Sequence, residues 1–288
     1  MRRLRVLVLM HKDLVPPDQL NGQDLEGAAW KTEYDVVSTL RKLGHDVQPL
    51  GVKSDLEVIR AAVEDWKPHI AFNLLEEFDG RAVYDQNVVS YLELMRIPYT
   101  GCNPRGLMLA RDKALAKQVM SYHRIPYPEF MVVPLHRMVR RPKYLPFPLI
   151  VKSISEEASL GISQASIVDD DEKLRERVAF IHDNVGTGAL IERYIEGREL
   201  YVGVMGNAHL QVFPVWELVM DKMPDEARRI ATERVKWSRK YQDKYGICSC
   251  EARNLPDGDV DHIQHLAKRA YRALGLSGYA RIDRRMAT

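Results

Sequence analysis

Apolar and polar positions change period in blocks along the chain. Val6 to Met10 is an unbroken apolar run, the pattern of a parallel strand covered on both faces. Arg2 and Arg3 ahead of it imitate the start of a signal peptide, but Arg5 interrupts the run and no small-residue cleavage site follows. From Asp24 to Leu43 the apolar spacing is helical; Gly44 closes the helix and the short strand DVQPL follows. SDLEVIRAAVEDW opens on a serine cap and continues as a helix, HIAFNLL is the next buried strand, and VVSYLELMRI leads into PYTG. This order predicts a doubly wound parallel sheet, a Rossmann-like lobe over residues 1–103.

The middle of the chain is patterned differently. RDKALAKQVMSYHRI reads as a helix, PEFMVV and FPLIVKSI as strands, and the second strand ends in the small, polar loop SEEASLGIS. SQASIV, the helix DDDEKLRERVAFIHD and the strand ALIERYI come next, which suggests antiparallel strands with helices on one side, an α+β lobe over 104–188. A third lobe, 189–288, carries the strands ELYVGVMGN and HLQVFPV, joined at Gly206-Asn207. Its last helix sets Ile263, Leu266, Ala267, Ala270, Tyr271 and Leu274 on one stripe and ends at Gly275. GYARID then reads as a closing strand.

Composition narrows the function. The chain has 288 residues, enough for two or three lobes, with 45% hydrophobic and 28% charged residues, as in ordinary globular proteins. The balance of 42 Lys and Arg against 40 Asp and Glu creates no long-range field for nucleic acid or an anionic membrane. No stretch approaches the ~18 apolar residues of a membrane span. Cys102, Cys248 and Cys250 form no CxxC pair, so the expectation is reduced thiols in the cytoplasm, without a zinc site or disulfide framework. After Met10 comes HKDLVPPDQLNG instead of GxGxxG, which counts against a nicotinamide dehydrogenase, and GxxxxGK[ST] is absent.

Five segments occur in the order seen in the ATP-grasp superfamily: DKALAKQ with Lys113, FPLIVKS with Lys152, SEEASLGIS, LIERYIEGRE with Glu192 and Glu199, and GYARID with Arg281 and Asp283. Within that superfamily the chain most resembles D-alanine-D-alanine ligases, and RIPYTGCNPRGLMLARDKALAKQVMSYHRIPYPEF carries the strongest likeness. The resemblance implies an N-terminal lobe followed by two ATP-grasp lobes. It also implies ATP as nucleotide, magnesium (or manganese) as metal, small carboxylate and amine substrates such as D-amino acids, and a homodimer.

The residue chemistry agrees with these roles. A protein without a Walker loop must neutralise a triphosphate with side chains and backbone N–H groups, and Lys113 and Lys152 are suitable point cations. Lys152 lies inside the apolar run LIVKSI, whereas Lys117 reads as an ordinary solvated lysine. Ser159 and Gly161 belong to the loop that covers the phosphates in similar enzymes; a plain hairpin turn is the alternative. On the strand that passes the adenine, Glu192 would accept from the exocyclic amine, the backbone of Arg193 and Ile195 would meet the ring edge, and Glu199 would hold the ribose hydroxyls. By the same resemblance Asp283 would ligate the metal, with Arg281 on the same strand face steadying the reacting carboxylate; a surface Arg-Asp pair on an edge strand is the alternative. Lys236, in VKWSRKY, matches a loop that closes on phosphate in related ligases and reads equally well as part of a basic helix.

Two departures qualify the resemblance. In the family, Arg-x-Asp is followed by a strand carrying Glu-x-Asn for the metals, and this sequence ends before one. The expectation is therefore either a fragment of a longer ligase or a protein that binds nucleotide without turnover. The family's first-lobe substrate segments are also missing: HKDLVPPDQLNGQDLEG and FNLLEEFDGRAVYDQ stand there, and Glu76, Glu77 and Asp79 read as a solvated acidic loop in preference to a replacement for part of that pocket. The function expected is an ATP-dependent carboxylate-amine ligase working through an acyl phosphate, in cell-wall precursor synthesis by resemblance.

Overall fold

A computed structural model describes residues 2–18, 25, 27–155, 161–224 and 226–287. The chain divides into two compact units, Met1–Met108 and Leu109–Thr288. In the first, β1 (Arg5–His11) is the central strand of a parallel sheet: α1 (Lys31–Lys42) leads to β2 (Asp46–Val52) on one side of it and α2 (Glu57–Trp66) to β3 (Ile70–Asn73) on the other. Val6 stands opposite both Val47 and Ile70. Because side chains alternate across a strand, β1 feeds two cores. Val6, Val8 and Met10 pack with Val37 of α1; Leu7 and Leu9 pack with Ile59 of α2 and with Val88 and Leu92 of α3 (Asp85–Leu94). That two-sided burial accounts for the unbroken apolar run and matches the doubly wound expectation. The helix expected from Asp24 begins at Lys31, and Asp24 itself lies outside the described residues. In the acidic loop after β3, Glu77 approaches the His11 ring, 3.4 Å from Nε2.

A helix that the apolar pattern did not announce, α4 (Pro104–Arg111), starts with proline at its first position, and Asn103 accepts from the Gly106 N–H (2.9 Å). After it, the second unit continues with α5 (Lys113–Tyr122) and two antiparallel sheets. The first contains β4 (Phe130–Val133), β5 (Leu149–Ser153), β6 (Ile167–Val168) and, after α6 (Asp171–Phe180), β7 (Ala189–Arg193), in the order β4-β7-β5-β6. Leu174 and Val178 of α6 close its core over Val133, Leu149, Val151 and Ile191.

The second sheet has the order β10-β9-β8-β11: β8 (Gly197–Met205), β9 (Gln211–Met220), β10 (Ile247–Glu251) and β11 (Tyr279–Ala287). Between β9 and β10 come α7 (Glu233–Trp237) and α8 (Arg239–Tyr245), and α9 (Asp259–Ala273) precedes β11. All six apolar residues expected on the α9 stripe are buried. The expected β8–β9 turn forms at Gly206, whose φ is +123° and whose Cβ, if present, would lie 2.0 Å from the His209 carbonyl, so glycine is obligatory there. No helix among the described residues is long and apolar enough to cross a membrane.

Candidate active site

A cleft of about 1440 Å³ opens within the Leu109–Thr288 unit. Lys113, Lys152, Glu192, Arg193, Ile195, Glu199, Lys236, Arg281 and Asp283 all line it.

One wall is built on α5, β5 and β7. Asp112 caps α5 by accepting from the N–H groups of Ala114 (3.0 Å) and Leu115 (2.9 Å), which sets Lys113 in the first turn and Lys117 one turn later on the same side. Lys117 is not a solvated surface lysine. Its side chain is 12% exposed, and Nζ lies 3.2 Å from Glu192 Oε1, while Lys152 Nζ lies 2.9 Å from Glu192 Oε2. The carboxylate between them is 4% exposed. Burial alone would raise the Glu192 carboxyl, but the ammonium groups of Lys152 and Lys117 outweigh it and lower the group to about 2. Each Glu192 oxygen is thus already engaged by a lysine. Nothing local to DKALAKQ signals the burial of Lys117, because its partner comes from a strand distant in sequence.

The opposite wall includes the face of the β8–β11 pair that carries Glu199, Tyr201, Arg281, Asp283 and Arg285, and the lining also takes in Val202, Ile282 and Arg284 from the other face together with Ile263 and Leu266 of α9. Antiparallel register sets Asp283 across from Tyr201, Arg285 across from Glu199 and Arg281 across from Gly203. The intervening Leu200, Val202 and Val204 are buried on the other face. The Tyr201 hydroxyl donates to Glu199 Oε1 (2.9 Å), and Arg285 Nη1 lies 3.5 Å from Glu199 Oε2. Arg281 donates to both oxygens of Asp283 (2.7 and 3.0 Å), with its guanidinium carbon 4.5 Å from the Tyr201 ring centre. A continuous polar chain therefore runs from Arg285 through Glu199, Tyr201 and Arg281 to Asp283. Burial, then the nearby Glu199 carboxylate, pushes the Tyr201 phenol up, so it remains a protonated donor. Arg285 was not anticipated, although period-two alternation from Arg281 and Asp283 would have reached it.

The remaining candidates are distributed as follows. Lys236 lies on α7, capped by Thr232, and Ser238 ends that helix and caps α8, so VKWSRKY spans two short helices with an extended residue between them, and of it Val235, Lys236 and Trp237 line the cleft. Gly161 has φ +70° and its carbonyl accepts from Arg177, but it does not line the cleft, whereas Ile162 does. The Arg193 N–H donates to the Glu129 carbonyl (2.9 Å), which leaves the Arg193 carbonyl and the Ile195 backbone as the local groups for a purine edge. Ser159, Glu156, Glu157 and Ala158 lie outside the described residues.

The Asp283 side chain is 48% exposed, and each oxygen keeps a lone pair beyond the Arg281 bonds. Among the described residues no group of three His, Cys, Asp or Glu is arranged to hold a metal. A hard cation there would take one protein carboxylate plus phosphate oxygens, a donor set that suits magnesium.

Comparison with known proteins decides the family. The family model described as the D-ala D-ala ligase C-terminus matches residues 119–288. The chain belongs to the D-alanine-D-alanine ligase family. Members of this family are ATP-dependent ligases with the ATP-grasp fold. The D-alanine-D-alanine ligase of Desulforudis audaxviator (strain MP104C) is 30% identical over 254 residues, spanning 86% of this chain and 76% of that protein. The ligase of Bordetella petrii is 34% identical over 206 residues, spanning 71% of this chain and only 59% of its relative. In fold, the chain matches the crystal structure of the Bacillus anthracis D-alanine-D-alanine ligase complexed with ATP, with a TM-score of 0.70 over 98% of this chain and 82% of that one, at 19% identity.

Proposed function

We propose that the cleft binds ATP and magnesium and that the chain joins a carboxylate to an amine, with D-amino acids as the substrate class. The convergence of Lys113, Lys152, Lys236 and Arg281 with Glu199 and Asp283 in one cleft carries this reading. A triphosphate needs cations, a ribose needs an acceptor pair, and a divalent ion needs a hard oxygen; the cleft supplies all three. Lys113 and Lys152 face the α and β phosphates, and Glu192, holding Lys152 and Lys117, fixes those charges in place instead of receiving the adenine amine. The purine edge meets the backbone at Arg193 and Ile195. Asp283 holds the magnesium, which when bound neutralises phosphate charge.

In the reaction, a carboxylate oxygen of the first substrate attacks the γ phosphorus and the bond to the β-phosphate oxygen breaks, giving an acyl phosphate and ADP. The amine of the second substrate then attacks the acyl carbon; phosphate leaves and the nitrogen loses a proton, which completes the amide. Arg281 stands beside the charge that develops on the carboxylate and its tetrahedral adduct, and Lys236 closes on the transferred phosphate. The three-lobe division at 103 and 188, and a cytoplasmic setting that suits Cys102, Cys248 and Cys250, none of them in a disulfide, belong to the same reading.

Phosphate release with MgATP and a panel of D-amino acids tests the proposal. At least one acid and amine pair should accelerate release well above ATP alone. ATP binding without acceleration by any pair would overturn the ligase assignment and favour the second reading, nucleotide binding without turnover, motivated by the lack, among the described residues, of any group of three His, Cys, Asp or Glu arranged to hold a metal.

A further inference from the structure

Glu199 is held more firmly than a carboxylate on a cleft wall needs to be. The Tyr201 hydroxyl donates to Oε1 at 2.9 Å, and the Arg285 guanidinium reaches Oε2 at 3.5 Å, so each oxygen is oriented from the protein side and keeps one lone pair for a ligand. The Glu199 and Arg285 side chains are 16% and 20% exposed, which limits solvent screening of the pair.

Arg285 is itself anchored without the help of a ligand. Nη2 donates to the carbonyls of Gly197 (2.9 Å) and Arg229 (2.7 Å), and the guanidinium carbon stands 5.1 Å from the centre of the Tyr194 ring. The reach to Gly197 depends on how closely the start of β8 approaches the end of β11. Gly197 has φ +143°, and a Cβ there would lie 1.9 Å from the Met286 carbonyl, so only glycine lets the two backbones come this near. The paired ends of β8 and β11 thus carry, respectively, the glycine that permits the approach and the arginine that uses it. The arginine fork fits this task because it can hold two carbonyls and a carboxylate at once, which a lysine ammonium on a flexible stem cannot do in a fixed geometry.

Two fixed oxygens with one lone pair each match a ligand that offers two adjacent hydroxyl donors. We infer that Arg285 is a positioning residue that locks Glu199 to read the cis-diol of a ribonucleotide, so that the cleft selects nucleotides with both ribose hydroxyls. This rests on the nucleotide reading above and adds to it the residue that sets sugar specificity. Neutralising Glu199 is a second consequence, since a bare carboxylate beside a polyphosphate would weaken every nucleotide alike.

The two effects separate in one experiment. Binding of ATP and of 2′,3′-dideoxy-ATP, both with magnesium, is measured by calorimetry on the full chain and on Arg285→Met and Arg285→Lys. The unsubstituted protein should prefer ATP by about 10-fold or more, the usual worth of a hydrogen bond to a charged group. Arg285→Met should weaken both nucleotides and bring their ratio below about 3, whereas Arg285→Lys, which keeps the charge, should hold dideoxy-ATP affinity near the original and still lower the ratio. Melting curves establish that each variant is folded, and should Arg285→Met fail to fold, the ratio in Arg285→Lys decides. A ratio unchanged by either substitution, or one near unity in the unsubstituted protein, overturns the inference while leaving ATP binding intact. Absence of ATP binding altogether overturns the nucleotide reading and this inference with it.

Discussion

Lys117 and Lys152 meet on one buried carboxylate, and that contact has consequences that can be measured without any substrate. The Glu192 carboxyl titrates at about 2 in the folded chain, below its ordinary value of 4.5. A group depressed on folding stabilises the folded state above its unfolded value, so this contribution is complete above pH ~4.5 and is lost as pH falls toward 2. Removing one ammonium in Lys117→Met should cost about 1–3 kcal/mol near neutral pH, less than the full loss of a buried pair because Lys152 remains. It should also raise the Glu192 carboxyl, so that acid unfolding begins at higher pH. Urea midpoints measured from pH 2 to 7 check both, and parallel curves for the two proteins would contradict the coupling. Residues of this kind are hard to read from sequence. Lys152 was legible because apolar neighbours surround it in LIVKSI, but Lys117 has ordinary helix neighbours and its burial comes from Glu192 on another strand.

Elements with a strong period were legible and weakly patterned ones were not. The α9 stripe follows the 3.6-residue repeat, and β1 is uniformly apolar because helices cover both its faces. β10 escaped notice because ICSCE alternates small and polar residues and none of them is fully buried. The expected helix start at Asp24 lies outside the described residues, and the helix begins at Lys31, after turn positions at Gly27, Ala29 and Trp30. Gly197 matters at this scale because it governs the β8–β11 pairing rather than a single contact. Gly197→Ala should destabilise the chain by at least about 1–3 kcal/mol, from unfavourable φ together with the clash at Met286. The effect should appear as a lower urea midpoint with an unchanged slope. A midpoint within error of the original would mean that the strand ends separate easily, and the close approach would lose its significance.

For the molecule as a whole, motif order was legible but motif pairing was not. Five segments in a family's order predicted that lysines and an aspartate would converge, and Lys113, Lys152 and Asp283 do line one cleft. The Arg281–Asp283 pair, two residues apart on one strand, was legible as an alternative, but the order could not reveal that Tyr201 links Glu199 to Arg281, because that contact depends on the β8–β11 register. A cleft assembled from α5, β5, β7, β8 and β11 ties together segments far apart in sequence, so a ligand that fills it stabilises all of them at once. With MgATP at 100 times its Kd, linkage adds about 2.7 kcal/mol. For a chain of this size that should raise the melting temperature by several degrees, at roughly 2–4 °C per kcal/mol. Hydrogen exchange should slow in β5, β7, β8 and β11 under the same conditions. Lys152→Met should abolish most of the shift, because it removes a phosphate cation and leaves Glu192 with one partner. If the variant is folded and its ATP-dependent shift equals that of the original, the nucleotide lies elsewhere and the cleft is not its site.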